Sequence, residues 1–173
     1  MNKFIAGLMA ITVSFHLWAG ANEVLINALE QAEREYQQKQ EEKEMREAAY
    51  LELFGYIPTE EEIDLMLRVA MAECGNTEPI EGIERVIEVI ANRCQSSRFP
   101  QSIKEVCYQR YQFQTVTKGT IWRLEVNDRV QEAWDNVLCR GECIDKEVLF
   151  FTAGGYNRYC IPMYKLGNHY FGR

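Results

Sequence analysis

The sequence predicts a mainly helical α+β domain, preceded by a helical spacer and a short leader. Three observations carry that reading. Residues 22–50 contain neither glycine nor proline and are crowded with Glu, Gln, Lys, Arg and Ala. From residue 58 onward, apolar residues recur three and four apart behind helix-start signals, the pattern of amphipathic helices. Toward the C-terminus this period gives way to short β-rich runs at 148–152 and around Tyr170. Helices followed by a small β element define the α+β class, and 173 residues suffice for one such domain with a modest extension.

The leader comes first. Lys3 supplies a positive start, residues 4–18 are apolar apart from Thr12, Ser14 and His16, and Ala19-Gly20-Ala21 offers small residues for cleavage. This is the pattern of a secretory signal over 1–21, with the cut expected after Ala21. An uncleaved anchor is the alternative, but the apolar stretch falls short of the roughly 20 residues of a membrane span. No integral membrane segment is expected once the leader is gone.

The spacer, 22–57, follows. Residues 22–50 carry eight acids against four bases. Leu25, Leu29, Ala32 and Tyr36 make a helical stripe that Lys39 and Lys43 interrupt. A heptad must persist for three or four repeats to argue a coiled coil, so a solvated helix or tether is expected. Gly55 and Pro58 punctuate its end.

The domain is expected over 58–173. Thr59 and Glu62 form a capping box that opens the first helix, with Ile63, Met66, Leu67 and Ala70 inward and Gly75 as its stop. A second helix begins near Pro79, facing inward through Ile83, Val86, Ile87, Ile90 and Cys94. Ser102 caps a short third helix. Asn127 caps a fourth, with Val130, Ala133, Trp134, Val137 and Leu138 inward as far as Gly141. Trp122 and Trp134 read as core, and Asn92-Arg93 as structural.

Composition excludes some functions. A formal charge of −7 lacks the basic footprint of a nucleic-acid binder. The six cysteines all lie between positions 74 and 160, and in an exported chain an even number suggests disulfides, among 15 possible full pairings. Two other readings stay open: a zinc set of Cys139, Cys143, Cys160 and His169 with loose spacing, or buried thiols acting as small apolar residues.

Glu73 is the residue that looks chemical. Counted from Ile63, Met66 and Ala70, it continues the buried stripe. It also sits in a last helical turn, where the dipole disfavours a carboxylate. Both effects raise a carboxyl pKa, as a general acid requires near neutral pH. A glutamate leaning into water at a frayed helix end fits the same periodicity, and periodicity alone does not choose.

Motif order adds information. Val69-Ala70-Met71-Ala72-Glu73-Cys74-Gly75-Asn76, then Glu81-Gly82 and Val89-Ile90-Ala91-Asn92-Arg93, resembles the SleB-type cell wall hydrolases, which include the spore-cortex-lytic enzymes. Arg98-Phe99-Pro100-Gln101-Ser102-Ile103-Lys104-Glu105-Val106 is similar to the next family segment. Tyr111-Gln112-Phe113 is similar to its Gly-Gln-Phe motif, with tyrosine in place of glycine. Gly167-Asn168-His169-Tyr170-Phe171 closes the series, and the likeness spans about 62–173.

The resemblance implies a lysozyme-like domain that cleaves peptidoglycan glycan strands between N-acetylmuramic acid and N-acetylglucosamine. It implies Glu73 as the catalytic acid; no cofactor or metal is expected, and the leader makes the protein secreted or wall- or spore-associated. Substrate contacts are expected from Glu81, Tyr111, Gln112, Phe113, Asn168 and His169. Asn168 and His169 serve equally well as a structural pin for the C-terminal segment.

Two chemistries remain. A muramidase needs a second carboxylate, with Glu78, Glu81, Glu88, Asp128 and Asp145 as candidates. A lytic transglycosylase needs only Glu73, which serves as acid and then as base to form a 1,6-anhydro product. The resemblance favours the transglycosylase. A non-catalytic wall- or partner-binding module of the same fold is the competing class.

Overall fold

The computed structural model describes the backbone of residues 2–156 and 158–173, with side chains from Asn22 onward. The leader expected over 1–21 therefore lies outside the described side chains. The chain divides into two compact units, Met1–Met45 and Arg46–Arg173. Among the described residues, no helix is long and apolar enough to cross a membrane.

The first unit belongs to α1 (Asn2–Phe54). From Asn22 to its end this unit is exposed throughout, including Leu25, Leu29 and Tyr36 of the expected stripe. Local pairs one turn apart line the helix surface: Gln31 donates to Glu35 at 2.8 Å, and Arg34 lies 3.7 Å from Glu30. Such pairs contribute only a few tenths of a kcal/mol each, as suits a solvated helix.

The second unit starts before Pro58, the start expected from sequence, because the end of α1 enters its core. Leu53 and Phe54 are fully buried, and Tyr50 stacks on Trp134 with ring centroids 6.2 Å apart. The last carbonyls of that helix are satisfied from outside. Gln95 donates its amide to the carbonyls of Glu52 and Leu53, both at 2.7 Å.

Helix α2 (Glu60–Cys74) opens on the expected capping box: Glu62 N–H donates to Thr59 Oγ1 at 3.3 Å, and Thr59 N–H donates to Glu62 Oε2 at 3.1 Å. Helix α3 (Ile80–Gln95) is buried on every side from Gly82 to Cys94, which makes it the central rod. Around it lie α4 (Ile103–Tyr108), α5 (Gln114–Thr117), a 3₁₀ turn (Thr120–Arg123) and α6 (Asp128–Arg140). Asn127 caps α6 through Val130 N–H at 3.0 Å. Its inward face is the expected one, with Leu138 only partly buried.

The sheet has three antiparallel strands in the order β1-β3-β2: β1 (Phe150–Ala153), β2 (Pro162–Leu166) and β3 (His169–Gly172). Sequence anticipated β1 and β3 but not β2, a short strand opening on a proline with a bulge between Pro162 and Tyr164. Phe171, fully buried, faces Phe151 across the sheet and stacks on Tyr164 at 5.3 Å. Asn92 donates to the carbonyls of Asp145 and Val148 at 2.8 and 2.9 Å, and Arg93 Nε donates to Leu149 at 2.8 Å. These bonds fasten α3 to β1 and its approach, the structural role expected of that pair.

Two expectations are corrected. Trp122 is not core: half of it is exposed, because the 3₁₀ turn carries it on the rim, whereas Trp134 is buried. Cys74, Cys94, Cys107, Cys139 and Cys143 form no disulfide. Cys74, Cys94, Cys107 and Cys143 are buried as thiols, and burial pushes Cys74, Cys94 and Cys143 up to about 12. They fill the core as small apolar groups, the third reading. The zinc set does not converge either. Cys139 is exposed on α6 while His169 is buried in β3, and no group of three or more potential ligands gathers among the described residues.

Candidate active site

Glu73 occupies the last turn of α2, one residue before Cys74. The apolar stripe that buries Met66 and Ala70 carries it inward, and it ends half-buried. Its carboxyl is raised above the ordinary 4.5, and burial is the cause. Among the described residues, no hydrogen bond or ion pair neutralises it. Burial thus shifts toward its protonated form an acid that still reaches the surface.

The turn that follows Glu73 is held at three points. Asn127 donates to the Asn76 side chain, and Arg129 donates to the Glu78 carbonyl, both from the start of α6. The third point is the Glu78 carboxylate, 2% exposed. It accepts the Asn168 backbone N–H at 3.0 and 3.2 Å and the Asn168 side-chain amide at 2.8 Å. Gly167 makes this possible. Its φ is +57°, and a Cβ there would lie 1.9 Å from Glu78 Oε2, so only glycine lets the turn between β2 and β3 close on the carboxylate.

Asn168, though exposed, thus gives its backbone N–H and its side-chain amide to this turn. His169 is buried, and its Nδ1 lies 3.9 Å from Glu78 Oε2 without a hydrogen-bond partner among the described residues. Burial lowers its pKa, opposed in part by Glu78, so it is neutral near pH 7.

The other expected site residues separate. Phe113 is buried against Phe151, with the Arg93 guanidinium 5.8 Å from its ring centre, so it offers no face to a ligand. Tyr111 is exposed and adopts φ +68°, a left-handed conformation costly for a non-glycine residue. The Arg110 guanidinium covers its ring at 4.5 Å. Gln112 is exposed beside it. Glu81 is exposed in the first turn of α3, 3.8 Å from Arg85.

The remaining candidate second acids are engaged elsewhere or surface-lying. Glu88 is buried in ion pairs with Arg85 and Arg140, Asp145 accepts the Glu147 N–H, and Asp128 is exposed in the first turn of α6. Sequence reading weighed Glu78 only as a second acid and missed its role as the anchor of the Glu73 turn. Its partner lies 90 residues away, and such a pairing leaves no local pattern. The sole trace was Gly167 ahead of Asn168.

The fold and this geometry accord with the comparisons. Residues 77–172 match the cell wall hydrolase family model, and the chain belongs to that family. The matched stretch begins just after Glu73 and includes Glu78, Gly167 and Asn168. A spore cortex-lytic enzyme from Oceanobacillus iheyensis is 38% identical over 79 residues, which cover 46% of this chain and 27% of that protein. The chain thus spans about a quarter of that curated relative.

Among solved structures, the catalytic domain of the germination-specific lytic transglycosylase SleB from Bacillus anthracis superposes with a TM-score of 0.58 at 22% identity. It covers 68% of this chain and 100% of that one. The SleB catalytic domain from Bacillus cereus gives 0.57 at 23%, covering 66% and 91%. The mainly helical fold with its small sheet is that of the SleB catalytic domain.

Proposed function

We propose that this chain is an exported enzyme that cleaves peptidoglycan between N-acetylmuramic acid and N-acetylglucosamine, as a lytic transglycosylase with Glu73 as its acid and base. The observation that carries the reading is a half-buried glutamate with a raised pKa at the end of α2, in a member of the cell wall hydrolase family. The leader pattern over 1–21 supports export. The relatives named above as cortex-lytic and lytic transglycosylase proteins support the substrate and the chemistry.

Glu73 gives its proton to the glycosidic oxygen as the bond to C1 of the muramic acid breaks. The carboxylate then takes the proton of that sugar's C6 hydroxyl while O6 bonds to C1. The anhydro ring closes, Glu73 is protonated again, and no water is consumed. This route needs one carboxylate, which fits the engagement of Glu78, Glu88 and Asp145 elsewhere. Purified sacculi digested by the protein should release muropeptides with anhydro ends, one water lighter than hydrolytic products by mass spectrometry. Reducing ends alone would establish hydrolysis instead, and no release would overturn the enzymatic reading.

A further inference from the structure

A cavity of about 610 Å³ opens along the flank of α2, away from the turn that carries Glu73. Leu65 and Glu61 line it from α2, Lys104 and Tyr108 from α4, and Trp122 from the 3₁₀ turn. Trp122 and Tyr108 are large rings left about half exposed, at 51% and 46%.

Trp122 is nonetheless fixed. The Arg68 guanidinium lies 5.8 Å from its ring centre, and that guanidinium is itself held by Asp64 Oδ2 at 2.7 Å and by the Leu124 carbonyl. A braced cation over an indole that lines a cavity makes a preorganised flat platform. Lys104 and Glu61 add a donor and an acceptor at the rim. Leu65 precedes Glu73 by eight residues of helix, about 12 Å along the axis, a separation within the span of an extended glycan strand.

We propose that this cavity is a remote sugar subsite, in which Trp122 stacks against a pyranose ring of the same glycan strand that Glu73 cleaves. A pyranose matches the site: an apolar ring face for the indole, and hydroxyl and acetamido groups for Lys104 and Glu61. The inference rests on the reading of the substrate as peptidoglycan. Its energy goes into holding the strand, so it changes KM and leaves kcat alone.

The test uses the full chain and glycan strands stripped of their stem peptides. Calorimetry is run on Glu73→Gln, so that binding proceeds without turnover, alone and combined with Trp122→Ala or Trp122→Phe. Trp122→Ala should weaken binding about tenfold, and Trp122→Phe should recover most of it. In the active protein, Trp122→Ala should raise KM by a similar factor at constant kcat. Circular dichroism checks that each variant is folded.

Unchanged affinity in Trp122→Ala, or a free stem peptide that competes for the site, would overturn the subsite. Strands that bind through Trp122 but are never cut by the active protein would uphold the subsite and overturn the enzymatic reading. Cutting with no dependence on Trp122 would do the reverse. Neither binding nor cutting overturns both.

Discussion

The last turn of α2 and the middle of α3 both bury glutamates, and they handle them in opposite ways. In α3, Glu84 and Glu88 are almost wholly enclosed, yet each is paired: Glu88 with Arg85 and Arg140, Glu84 with Arg140 and with the Asn136 amide. In α2, Glu73 is less buried and pairs with no cation among the described residues, and burial moves its pKa. Depth of burial is therefore a poor guide to chemistry. A deeply buried acid whose charge is balanced by two arginines is a strut, whereas burial of an acid without a partner favours its protonated form.

Substitutions can break that contrast. Glu73→Gln should lower muropeptide release from sacculi by about 10²–10⁴-fold, the usual span for losing a general acid. Its urea midpoint should stay the same or rise. A variant that retains full release would remove Glu73 from the chemistry. Glu88→Ala should do the opposite kind of damage, because it strands Arg85 and part of Arg140 in the core. A loss of about 3 kcal/mol in denaturant unfolding is expected. A cost under about 1 kcal/mol would mean that the network is not a strut.

The anchor of the Glu73 turn should show an intermediate effect. Gly167→Ala places a methyl group against the Glu78 carboxylate and strains the backbone, and Asn168→Ala leaves that carboxylate without its donor side chain. Each should cost about 2 kcal/mol in unfolding experiments, with activity falling as the turn loosens. Full stability in Gly167→Ala would show that the turn closes some other way.

The smallest effect is in pH dependence. The folded pKa of Glu73 lies above its ordinary 4.5, so between the two values the folded state binds more protons than the unfolded one. Stability then falls as pH rises through that window, and the penalty is complete above the folded pKa. Glu73→Gln should flatten this decline in a pH series of unfolding midpoints. Cleavage should likewise fade as pH rises through the folded pKa, since the acid must hold its proton. A steeper decline in the variant would contradict the sign.

Local signals made much of the fold legible. The Thr59–Glu62 box, the Asn127 cap and the inward faces of α3 and α6 are readable because a helix repeats its contacts every three or four residues. Glu73 stood out for the same reason, since the period carried an acid onto an apolar stripe. Where structure departs from local pattern, distant partners are the reason. Phe113 reads like a sugar-facing ring beside Gln112, but it is buried against the Phe151 ring and the Arg93 guanidinium. Trp122 reads like core until the 3₁₀ turn carries it to the rim.

The sequence by itself determined four helices of the domain, the solvated character of the spacer and the acid worth testing. Each follows from neighbours within a few residues, where spacing alone decides burial and capping. Tertiary structure decided which charges are balanced and which are left open. Glu78 meets Asn168 across 90 residues, and Glu88 meets Arg140 across 52. A charge is neutralised by whatever stands within a few ångströms of it, and only the folded chain brings those groups that close.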